Sequence, residues 1–142
     1  MIRRLFLQCR AARRDEAGAG AVEFALICPV LLVMIGGIFE GGLVLYTWGN
    51  MEHVARQAAR TAAIGSITAA EAETFVETKM AQSIGSPTAT ATVNFVAGAT
   101  PMEDEVVVQV TVPEGELGAI LPFGLLRLSS LSTTVTMHYE ED

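Results

Sequence analysis

A chain of 142 residues has room for one small folded unit and one membrane segment and little more. Its net charge of -7 is unevenly divided: residues 1–18 carry Arg3, Arg4, Arg10, Arg13 and Arg14 against Asp15 and Glu16, which leaves about -10 for the rest. So acidic a body excludes nucleic acid as a partner, because phosphate neutralisation needs clustered Lys and Arg.

The basic leader, residues 1–18, ends at Gly18, and Glu23 stands alone five residues later at the head of a long apolar run. From Phe24 to Trp48 that run is interrupted by one charge, Glu40. A helix of this length reaches roughly 37 Å at 1.5 Å per residue, enough to cross the hydrocarbon core with some tilt. A cleaved secretory signal has a shorter apolar core and a small-residue site after it; the run reads instead as a retained anchor. Tyr46 and Trp48 lie at its far end, where aromatic rings favour the membrane interface. The basic head marks the cytoplasmic side and the acidic body the outer side. Lipid is therefore one expected partner.

Four residues in the run carry local expectations. Pro29 removes a backbone donor and predicts a bend or local loosening. Gly37 and Gly41 stand at G-x-x-x-G spacing, which favours close packing against another helix. Glu40 lies mid-run, where a carboxylate needs water, protonation or a partner. Either it reaches water near the interface or it meets another subunit; the second reading is preferred, so Gly37, Glu40 and Gly41 form a candidate intramembrane contact.

From Asn50 the pattern becomes amphipathic. Met51, Val54, Ala55, Ala58, Ala59, Ala62 and Ala63 recur at three- and four-residue steps, with Glu52, Arg56 and Arg60 opposite. The membrane helix is expected to continue through this stretch and close at Gly65. A second helix follows, opened by a Thr68/Glu71 capping box, with Phe75, Val76, Met80 and Ile84 on its face and Gly85 at its close.

After Pro87 the period changes to two. Ala89, Ala91, Val93 and Phe95 alternate with polar residues, as do Val106, Val108, Val110 and Val112. A third run is Leu131, Thr133, Val135, Met137 and Tyr139. With no helix-length crossover between the first two, these predict an antiparallel sheet packed on the amphipathic helix. The fold class is α+β: a membrane helix continuing into an amphipathic helix (19–65), then an outer domain (66–142) holding a short helix and a three-stranded antiparallel sheet. The link 115–128 is unusually apolar for a loop and has room for a short helix. Leu121, Phe123 and Leu125 within it cover either their own domain, the default for so small a core, or a partner subunit.

No catalytic constellation appears. His53 and His138 have no nucleophile beside them and read as surface residues. Cys9 and Cys28 imply no disulfide framework, and Cys28 reads as a small membrane residue. The glycines of AGAGAVE lack the Lys and strand of a phosphate loop. The acidic clusters Glu103–Glu105 and Glu140–Asp142 lack EF-hand spacing. No catalytic residue, metal or cofactor is expected.

Three motifs stand in order: AVEFALICPVLL (21–32), GIFEGG (37–42) and ARQAARTAA (55–63). Together they resemble TadE-like pseudopilins of tight-adherence (Flp-type pilus) secretion systems, over about the first half of the chain. The Gly18-to-Glu23 spacing likewise resembles the type IV prepilin processing signal. The resemblance implies a non-enzymatic bacterial inner-membrane protein, N-terminus cytoplasmic and outer domain periplasmic, acting in pilus assembly. It implies cleavage by a prepilin peptidase between Gly18 and Ala19, with Gly20 as a second candidate cut. Glu23 would then pair with a terminal amine during assembly. Its implied partners are other pseudopilins, the Flp pilin and the inner-membrane assembly platform. The competing reading is an uncleaved signal-anchored protein whose outer αβ domain binds a ligand or a membrane complex.

Overall fold

A computed structural model describes residues 16–98 and 104–138. Most of the leader, Cys9, Tyr139, Glu103 and the acidic cluster Glu140–Asp142 lie outside the described residues. The chain divides into two compact units at Gly36 and Gly37.

One helix, α1 (Glu16–Ala63), carries the whole apolar run and the amphipathic stretch, and continues through Pro29. It closes as the expected glycine requires. Gly65 takes a φ of 66°; its N–H donates to the Ala62 carbonyl and the Ser66 N–H to that of Thr61. Those two bonds make a Schellman motif, which the missing Cβ of glycine permits.

In the first unit, α1 is clothed in large apolar side chains that no other described residue covers: Phe24, Leu26, Leu31 and Met34 are all exposed. The second unit is α+β, as the pattern predicts. Helix α2 (Ala69–Ala81) opens on the capping box, in which the Thr68 side chain accepts from the Glu71 N–H and the Glu71 carboxylate accepts from the Thr68 N–H. It buries Ala72, Val76 and Met80. The helix stops at Ala81, short of the expected Ile84, which is exposed. There the chain turns through two left-handed residues, Gly85 (φ 80°) and Ser86 (φ 42°).

Strands β1 (Thr90–Val96), β2 (Glu105–Pro113) and β3 (Ser130–His138) form an antiparallel meander in the order β1-β2-β3. The register sets Val93 opposite Val108 and Val108 opposite Val135. Alternation then sends Ala91, Val93 and four of the five valines of β2 (Val106, Val108, Val110 and Val112) inward, while Thr92, Gln109 and Thr134 face out. Phe95 is in phase with the buried residues but half exposed, at the loop end of the β1–β2 hairpin. The core joins this inner face to the stripe on α1 from Met51 to Ala63 and to α2. Alanine on α1 lets a helix approach a valine-lined sheet closely.

The β1 edge is guarded. Glu73 and Glu77, one turn apart on α2, accept from the Val93 N–H at 3.0 Å and from the Ala91 N–H at 3.5 Å. Those donors would otherwise offer a pairing edge to another chain. The apolar link contains a short helix, α3 (Glu114–Ile120), which buries Leu117 and Ile120 in the core.

Candidate functional site

Two places hold the residues singled out from the sequence. The first is the start of α1. Gly18, Ala19 and Glu23 all lie on helical backbone and are exposed. Ala19 and Glu23 are four residues apart, so they share one helix face, one turn from each other. A cut after Gly18 would place the new ammonium on the face that carries the Glu23 carboxylate. Among the described residues, Glu23 makes no hydrogen bond or ion pair.

The second place is on the second unit, where Glu40 meets the link. Helical phase explains why this carboxylate is covered. Stepping back from Met51 by fours and threes along the core stripe reaches Thr47, Val44 and Glu40; Glu40 and Thr47 are buried and Val44 partly so. Both carboxylate oxygens are occupied by the backbone of the link. The Phe123 N–H donates to Oε1 at 2.7 Å, and the N–H groups of Leu125 and Leu126 donate to Oε2, each at 2.9 Å. Gly124, at a φ of 63°, makes the left-handed turn that brings these donors to a single point, as in the backbone nests that bind anions. Phe39 stands edge-to-face with Phe123, ring centroids 6.2 Å apart.

The link residues separate by burial. Leu121 is buried with Ile120 in the core of the second unit, whereas Phe123 is 61% exposed and Leu125 43%. Glu40 has its partner within its own chain. Gly37 and Gly41 have open space where a Cβ would stand, so no described residue packs against them at close range. The Glu40 contact escaped the sequence reading because its partners are backbone amides, which no side-chain pattern advertises. The available signal was the backward extension of the α1 stripe to position 40.

Among the described residues, no group of three His, Cys, Asp or Glu is placed to hold a metal. Cys28 is a free thiol. His53 lies beside Arg56, Gln57, Arg60 and Met137 along a shallow surface groove.

From Gly18 onward α1 is also long and apolar enough to cross a membrane, which points to membrane anchoring. No curated protein and no solved structure matches the chain. The family described as TadE-like protein matches residues 18–60. The match thus begins at Gly18 and takes in Glu23, Glu40 and most of the alanine stripe. That family groups pilus-associated components of tight-adherence systems and is not known as an enzyme family. Over residues 18–60, the chain is similar to TadE-like proteins.

Proposed function

We propose that the protein is a pseudopilin, a structural or assembly component of a Flp-type pilus, matured by a prepilin peptidase that cuts between Gly18 and Ala19. The observation that carries this reading is the coincidence of three boundaries at Gly18: the basic leader ends there, the family match begins there, and Glu23 follows at mature position five. The body beyond the membrane helix would lie on the periplasmic side, opposite the arginines of the leader. In the membrane the Ala19 ammonium and Glu23 carboxylates of neighbouring subunits would pair, relieving the cost of a lone carboxylate facing lipid, about 2.5–3.5 kcal/mol on insertion scales. Its partners in this role are the peptidase, other pseudopilins, the Flp pilin and the inner-membrane assembly platform.

The test is the mature N-terminus of the protein isolated from its native membrane. A mass and an N-terminal sequence beginning at Ala19 are expected. Replacing Gly18 with a bulky residue (Gly18→Phe) should leave only the full-length precursor. A mature terminus at Ala21 would move the cut to Gly20. An uncut chain in the wild type would instead support a signal-anchored protein with an outer binding domain.

A further inference from the structure

We infer that the turn from Pro122 to Leu126 is a lipid-inserting element, held on the membrane helix by Glu40 and immersed beside Phe39 in the outer half of the bilayer. The first ground is where its backbone donors point. From Leu121 to Leu126 there are five N–H groups, Pro122 having none. Leu121 donates to the Leu117 carbonyl, and Phe123, Leu125 and Leu126 donate to Glu40. The remaining N–H, that of Gly124, also faces the Glu40 carboxylate. A loop in water has no need of an internal acceptor, because water serves its donors. In hydrocarbon, irregular backbone is tolerated only where such groups are satisfied within the protein.

The second ground is what the turn shows to its surroundings. With its donors drawn inward, it presents Phe123, Leu125 and Leu126 outward, at 61%, 43% and 37% exposure. This apolar surface runs on into the helix through the Phe39–Phe123 ring contact, and the neighbouring Ile38 is 74% exposed. Depth follows from helix geometry. Phe39 lies nine residues before Trp48, about 13 Å along the axis. If Trp48 marks the interface, as aromatic belts do, a ring packed on Phe39 is inside the hydrocarbon. These features together commit the surface to lipid rather than to a protein groove.

The inference rests on membrane anchoring and not on filament assembly. Its test uses the full chain with Cys9→Ser and Cys28→Ser, reconstituted in vesicles of phosphatidylethanolamine and phosphatidylglycerol. Single nitroxide labels are placed through Phe123→Cys, Ile38→Cys or Thr134→Cys, and their accessibility to oxygen and to a water-soluble nickel chelate is compared. The label at 123 should match that at 38, open to oxygen and shielded from nickel several-fold relative to the label at 134 on the outer face of the sheet. Adding Glu40→Ala should raise nickel access at 123 toward the value at 134 and leave 38 unchanged. Nickel access at 123 equal to that at 134 in the unaltered Glu40 background overturns the proposal. So does shielding of 123 from both reagents, which would mean that a second protein copy covers the turn. Insensitivity of 123 to Glu40→Ala would overturn the holding role of Glu40. A label at 38 that is itself open to nickel would signal failure of the membrane reading as a whole, an outcome distinguishable from the others.

Discussion

The two stretches of α1, residues 18–36 and 37–63, differ in the size of the side chains they bring to a surface. The first carries Phe24, Leu26, Ile27, Leu31 and Met34, none of them covered by another described residue. On the second, the covered positions from Ala55 to Ala63 are alanine, and they lie under the sheet and α2. A bilayer is fluid and fills the space around a bulky side chain of any shape, so large residues gain most there. A folded sheet is rigid and already supplies the bulk through Val106, Val108, Val110 and Val112, so its helix does best with small residues that allow close approach. Side-chain size, more than hydrophobicity, distinguishes the two kinds of apolar face. The two carboxylates divide the same way. Glu23 has no partner among the described residues, whereas Glu40 is the acceptor for three amides of its own chain.

That contrast is broken most severely by Glu23→Gln. Because no described group depends on the Glu23 charge, the variant should reach the membrane in normal amount and melt as the wild type does. Under the pseudopilin reading, piliation should be lost, because the charge serves a neighbouring subunit. Immunoblots of membranes and counts of pili would read both outcomes. Pili at wild-type number would count against the pairing role, and a fall in membrane amount would show that Glu23 supports its own fold after all.

The size argument is sharpened by placing one substitution on each face. Ala58 is fully buried between helix and sheet, while Ala25 is exposed on the apolar run. Ala58→Leu should lower stability by about 1–3 kcal/mol, the usual cost of overpacking a core. Ala25→Leu should leave it unchanged, since the added methylenes meet only lipid or detergent. Thermal melting of the full chain in detergent, monitored by a strand-sensitive signal, measures both. Equal losses would show that the 18–36 stretch is packed against protein in solution.

The sequence was most readable where one periodicity governs one face. The 3.6 period of α1, the capping box at Thr68 and Glu71, and the period of two in β1, β2 and β3 each reflect a local rule. Each element exists as read. Legibility failed where position in the whole fold decides. Ile84 continues the helical spacing of Val76 and Met80, but the helix ends before it. Phe95 keeps the strand phase of Ala91 and Val93, but lies at the end of the hairpin and is half exposed. The link 115–128 showed its apolarity, yet not that Leu121 would be buried and Phe123 exposed. That split follows from a turn whose donors converge on Glu40, eighty-three residues before Phe123 in the chain. Pairing of a side chain with distant backbone leaves no complementary residue type in the sequence, so the site at Glu40 came into view only with the fold.

The smallest expected effect separates the stretch 18–36 from helix α2 by pH. The Thr68 backbone N–H and hydroxyl, both bound to the Glu71 carboxylate at 2.8 Å and 2.9 Å, hold its carboxyl below the ordinary value of 4.5. A folded-state value below the unfolded one means that the unfolded chain binds the proton more readily. The stabilisation is therefore complete above the unfolded value and is lost as pH falls below 4.5 through the folded value. Other carboxylates titrate in the same range, so the informative quantity is the difference in melting temperature between wild type and Glu71→Gln. It should be present at neutral pH and shrink toward zero as the solution is acidified, because protonated glutamate and glutamine are alike in charge. Thr68→Ala, which removes the cap itself, should cost about 1 kcal/mol at neutral pH. Among the described residues from Gly18 to Gly36 no such cap is present, so helix signal from that region should not change with acid over the same range. A melting difference for Glu71→Gln that persists undiminished in acid would show that the carboxylate stabilises α2 by shape and hydrogen-bond acceptance alone, with its charge playing no part.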